Sequence, residues 1–157
     1  MAFLNYITAI SNITCYFPIV ATYRRKDYLT CGALCFVSAA SFVSHLFETH
    51  KHDMSGIMPV SKTTSYFLNR IDVLGCSIIS IRLLYLFLIK MENKKIIFQM
   101  MKHYKTLLLC SLPLLLLTIS ETDKLNPRLR TRYVITHSLW HLTVFPAINY
   151  LLKKIIY

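Results

Sequence analysis
Ser41 and His45 stand four residues apart, as do His137 and His141, so on a helix each pair lies on one face. Asp72 falls between the pairs, in the run Asn69-Arg70-Ile71-Asp72-Val73-Leu74-Gly75. An HxxxH pair is how one helix offers two ligands to a single metal ion. Three imidazoles (His45, His137 and His141) with an open fourth position make the usual ligand set of a catalytic zinc. Zinc lowers the pKa of bound water towards about 7 and polarises a carbonyl, which suits hydrolysis of an ester or an amide. Asp72 would hold or deprotonate that water. Ser41, one turn from His45, would hydrogen-bond Asp72 or a developing oxyanion.

Taken singly, each residue has a plainer account. His45 alone reads as a helix-end histidine reaching for the interface, and HxxxH pairs arise by chance. Asp72 could pair with Arg70, and Ser41 could bond the carbonyl four residues back. Their convergence decides between these accounts, and it depends on the segments that carry them.

Those segments are strongly apolar. The chain has 157 residues, 55% of them hydrophobic, and only three glycines; its mean hydropathy is +0.47. A membrane-crossing helix needs about 20 mostly apolar residues. Five stretches approach that length: 2–22, 28–47, 66–89, 106–120 and 133–152. The fourth is intensely apolar but short. The expected fold is all-α, one integral membrane bundle of about five helices over residues 1–157, with no separate soluble domain.

Parity then places the residues. The second segment runs outward and ends near His45, and the third runs back inward just after its start at Asp72. With one span intervening, the fifth also runs inward, so His137 and His141 enter at similar depth. An odd number of intervening spans is required, and the apolar pattern supplies one without reference to the histidines.

The net charge of +11 would suggest nucleic acid in a soluble protein. Here the cations gather between apolar segments, where they orient helices and meet anionic headgroups, so nucleic acid is excluded as a partner and a membrane lipid or the bilayer is expected. One side of a five-span bundle receives ten cations: Arg24, Arg25, Lys26, the Lys90 to Lys105 connector, Lys153 and Lys154. The other receives seven. The positive-inside rule therefore sets the N-terminus outside or lumenal, the C-terminus in the cytosol, and the histidines near the non-cytosolic face.

The five cysteines all fall within apolar segments and read as packing thiols rather than a disulfide framework. The first segment lacks a basic leader region and a small-residue cleavage site, and reads as a retained helix. The Asn12-Ile13-Thr14 sequon lies mid-helix, where modification is not expected. Arg82 lies about 15 Å deeper than Asp72 along its helix, and reads as a side chain snorkelling to the cytosolic interface. His50-Lys51-His52-Asp53 reads as a solvated loop. Pro146 frees the carbonyl of Leu142 and would kink the last helix beside His141.

As a set, Ser41-x-x-x-His45, Asp72 and His137-x-x-x-His141 resemble the motifs of the CREST superfamily of membrane hydrolases, which includes the alkaline ceramidases and the progestin and adipoQ receptors. The Phe17-Pro18 stretch leading to the basic turn at Lys26, Asp72-Val73-Leu74-Gly75 and His137-Ser-Leu-Trp-His141 look most like its myomaker branch. The resemblance covers roughly two thirds of the chain. It implies a zinc held by His45, His137 and His141, with Ser41 and Asp72 beside it. It implies either lipid amidase or phospholipase chemistry, or a non-enzymatic role in membrane fusion with a structural zinc. Family members have seven helices. This chain has room for about five, so two of the three spans between the Asp and HxxxH helices are missing and parity is kept. A reading outside the family is a viroporin-like or assembly protein whose histidines are incidental.

Overall fold
The computed structural model describes residues 2–91 and 104–157. The described residues are all-helical, without a strand. Most of the basic connector expected between segments three and four falls at 92–103, outside the described residues.

The first apolar segment is interrupted. Helix α1 (Ala2–Ile10) passes into a 3₁₀ stretch (Ser11–Cys15), then α2 (Tyr16–Arg24). Pro18 is the local cause, since its missing N–H leaves the carbonyl of Thr14 without its helical partner. Tightening at this point turns Ser11 and Asn12 inward, where both are buried. Asp27 caps α3 (Tyr28–Leu46) by accepting from the backbone N–H of Thr30. A fifteen-residue loop at 47–61 follows, in which Gly56 adopts φ +63°. Helix α4 (Lys62–Met91) then lies along α3. The two approach closely at Gly75, where an added Cβ would stand 3.0 Å from Cα of Val37. Helix α5 (Tyr104–Ser120) packs along α6 (Arg130–Leu151), and a π turn (Leu152–Ile156) closes the chain against α4.

Three helical stretches are long and apolar enough to cross a membrane: Ala2–Arg24, Tyr28–Leu46 and Lys62–Lys90. The other two expected spans fall on α5 and α6. Their helices form, but the apolar part of α5 is short (Leu108–Ser120) and α6 carries two histidines and several hydroxyl residues on its way through.

Polarity is distributed in an unusual way. Large apolar side chains face outward, among them Phe3, Ile13, Leu29, Ile81 and Leu114, each at least 64% exposed. Polar side chains fill the interior instead, including Asn5, Ser41, His45, Glu48, Lys51, Asp72, His137 and His141, none more than 5% exposed. An apolar cluster of Leu34, Val37, Ile79 and Phe145 packs the other half of the interior.

Candidate metal centre
The helices bring the three predicted imidazoles together. His45 comes from the last turn of α3, and His137 and His141 from successive turns of α6. Ring centroids are separated by 4.7 Å (His45–His137), 5.0 Å (His45–His141) and 4.9 Å (His137–His141), a nearly equilateral triangle. All three rings are buried.

Each ring is held by its Nδ1, and the holders fix the tautomers. Nδ1–H of His45 donates to the Glu48 carboxylate at 3.0 Å, an acceptor only while ionised. Nδ1–H of His137 donates to Ser120 Oγ at 3.0 Å, because the serine hydroxyl proton is already given to the carbonyl of Leu117. Nδ1–H of His141 donates to Ser11 Oγ at 2.8 Å, and the Ser11 hydroxyl likewise donates to the Thr8 carbonyl. In the neutral rings that bind a metal every Nδ1 therefore carries the proton, and every Nε2 presents a lone pair to the interior of the triangle. Nε2 of His45 and of His137 are 3.2 Å apart, two acceptors at hydrogen-bonding distance with no proton assigned to either. A cation between them removes the repulsion. Zinc–nitrogen bonds of 2.0–2.1 Å in a tetrahedral shell place neighbouring nitrogens about 3.3 Å apart, so this pair has the required spacing. The full set of ligand nitrogens lies within 4.8 Å. The residues fit a metal ion.

Ser41 and Asp72 sit beside the triangle. Ser41 Oγ is 3.3 Å from Nε2 of His141, and Asp72 Oδ2 is 4.0 Å from Nε2 of His45. Arg70 does not pair with Asp72 but stacks over Tyr66 and donates to its hydroxyl. A cleft of about 620 Å³ separates α4 from α5 and α6, with Asp72, His137, Val73, Leu117 and Trp140 in its walls.

The loop after α3 is not a solvated one. Lys51 and His52 are each 1% exposed. Lys51 is drawn under the loop by two carboxylates, Glu121 at 2.8 Å and Glu48 at 3.4 Å, and His52 donates from Nδ1 to the Asn126 carbonyl while stacking on Tyr133. Burial alone would raise the Glu48 carboxyl, but the Lys51 charge and the hydrogen bonds from His45 and Tyr133 hold it well below the usual carboxylate range. Burial likewise opposes the Lys51 cation, and the two carboxylates overcome this and raise its pKa. Arg82 does not snorkel freely either. It donates to Asp27 at 3.1 Å and to Thr30 at 3.0 Å, at the start of α3. Its partner lies outside the spans, beside the basic run that ends the first segment.

Glu48, Ser120 and Ser11 were not among the expected site residues. Glu48 carries one signal that could have found it: an acid three residues after a histidine on the same helix end, within side-chain reach. The serines carry none, since a hydroxyl within an apolar helix usually bonds its own backbone.

Fold and site together define an all-helical protein with a buried three-histidine cluster able to hold a metal ion. The chain belongs to the same family as an uncharacterized protein of Acanthamoeba polyphaga mimivirus, with which it is 43% identical over 161 residues, covering 98% of this chain and 99% of that protein. No protein-family model and no solved structure matches it.

Proposed function
We propose that this protein is a CREST-like, zinc-dependent integral membrane hydrolase that cleaves the acyl amide or ester bond of a ceramide- or phospholipid-like membrane lipid. The carrying observation is the locked tautomer set: three Nδ1–H groups each spoken for, three Nε2 lone pairs converging. The membrane reading draws on the three long apolar helices and on the inverted polarity, apolar outside and polar within. In the bilayer the N-terminus is non-cytosolic, the C-terminus cytosolic, and the histidines lie near the non-cytosolic face.

His45, His137 and His141 would hold the zinc, which supplies acidity to water and polarisation to the scissile carbonyl. The cleft between α4 and α6 admits the acyl carbonyl from the bilayer side, with Leu117 and Val73 against the chain. Asp72 accepts a proton from the attacking water and returns it to the leaving amine or alkoxide, so one water adds across the acyl bond. The Ser41 hydroxyl donates to the oxyanion as the carbonyl becomes tetrahedral.

Elemental analysis and lipid turnover of the detergent-purified protein test this. The expected result is about one zinc per chain, lost in His141→Ala, and an Asp72→Asn variant that keeps its zinc while turnover falls by about 10²–10⁴-fold. Wild-type protein without metal, or Asp72→Asn with undiminished turnover, refutes the hydrolase. Zinc retained with no turnover, together with activity in a cell-mixing assay, would instead identify a fusion protein with a structural zinc.

A further inference from the structure
A second site lies where α2 ends and the chain closes, away from the histidines. Arg24 and Arg25 finish α2, and the final turn brings Lys153 beside them across a cleft of about 490 Å³. The other wall is apolar and aromatic, formed by Tyr16, Phe17 and Val20 of α2. Tyr16 and Phe17 are more than half exposed.

Three cations in one cleft repel each other unless an anion lies among them. Within the described residues none of the three has a carboxylate at ion-pair distance. The acid closest in sequence, Asp27, is already committed. It accepts from Arg82 at 3.1 Å, from the Thr30 hydroxyl at 2.7 Å and from the Tyr157 hydroxyl at 2.9 Å. Tyr157 also lies under the Arg25 guanidinium, whose carbon is 5.7 Å from the ring centroid, and so fixes its place at the rim. A merely solvated basic end needs no aromatic wall, and a site for a small free anion gains nothing from one.

We infer that this cleft binds an anionic phospholipid whose headgroup carries more than one negative charge. The phosphate lies among Arg24, Arg25 and Lys153, and an acyl chain follows the Tyr16–Val20 face of α2. Basic clefts between helices at the cytosolic interface hold such headgroups, each cation contributing about a fivefold gain in affinity. The site is independent of the zinc centre and of any reaction there.

The test is native mass spectrometry of the full chain in neutral detergent, titrated with phosphatidic acid, phosphatidylcholine and inorganic phosphate. Phosphatidic acid should bind at least tenfold more tightly than phosphatidylcholine and should stay bound in excess phosphate. The triple variant Arg24→Gln, Arg25→Gln, Lys153→Gln should weaken it by about a hundredfold. Should that variant fail to fold, Lys153→Gln alone should show about a fivefold loss. Equal binding of the two lipids, full retention by the folded variants, or displacement of the lipid by phosphate would each overturn the inference.

Discussion

Replacing Glu48 by Gln tests whether the carboxylate sets the state of His45 or merely fills space beneath it. The carboxylate receives His45 Nδ1–H at 3.0 Å, the Tyr133 hydroxyl at 2.7 Å and the Lys51 ammonium at 3.4 Å. Glutamine is nearly isosteric but neutral, and its amide N–H₂ must face one of these donors. Lys51 keeps Glu121 at 2.8 Å, so no buried cation is left without a partner. The cost to the fold is then the loss of charge from the remaining hydrogen bonds, about 2–3 kcal/mol. The larger consequence concerns the metal. A carboxylate behind a histidine ligand raises its basicity and fixes its tautomer, and its loss weakens metal binding by about 10- to 100-fold. By linkage, the zinc-induced gain in unfolding free energy falls by about 1.4–2.7 kcal/mol at a fixed saturating concentration. Zinc affinity is measured by competition with a chromophoric chelator, and stability by thermal melts with and without zinc. Tyr133→Phe is the control, since it removes a donor to Glu48 and leaves the carboxylate behind His45 charged. Should Glu48→Gln lower stability yet bind zinc within twofold of wild type, the argument from tautomer to ligand is wrong.

Two further perturbations bear on the scaffold. Gly75→Val places a branched side chain where a Cβ already stands 3.0 Å from Val37 Cα and 3.1 Å from its Cβ, so α3 and α4 must part at a cost of about 1–3 kcal/mol. An unchanged melting temperature would show that the helices are less closely seated than this. Asp27 lies below the ordinary carboxylate range: burial pushes it up, and hydrogen bonds from Thr30, Tyr157 and Arg82 outweigh that. A lowered folded-state pKa adds stability that is fully present above the unfolded value of 3.8 and is lost as the pH falls below it. The melting-temperature gap between wild type and Asp27→Asn should therefore stay constant from pH 5 to 8 and close below 3.8; a gap that does not change with pH counts against the Arg82–Asp27–Tyr157 clasp.

The sequence made some parts of this architecture legible and hid others, for physical reasons. The four-residue spacing of His137 and His141 fixes a shared face on any helix, and in a membrane bundle chain direction would set depth, so their meeting with His45 was an expectation of the sequence. Rotation of a helix about its axis is another matter. In a chain that is apolar on most sides, periodicity does not say which stripe faces inward, so Ser11 and Ser120 gave no sign of turning towards the rings. The interruption at Ser11–Cys15 was concealed by the apolar run around it, although Pro18 marks the place. Lys51 and His52 were misread because polarity in a loop ordinarily means solvent. Their burial depends on Glu121 and Asn126, more than 65 residues later in the chain. Arg82 was read as reaching the interface without a named partner, and the partner, Asp27, stands 55 residues earlier.

The dispersal of the ligand set along the chain has a consequence for biosynthesis. His45 is translated 92 residues before His137, and Ser11 is 130 residues ahead of the imidazole it supports. A ribosome that stalls before α6 leaves a fragment with one of the three rings. Three rings can surround one ion only after α6 has packed against the first segment and brought His137 and His141 to His45, so metal occupancy would record that this packing had taken place.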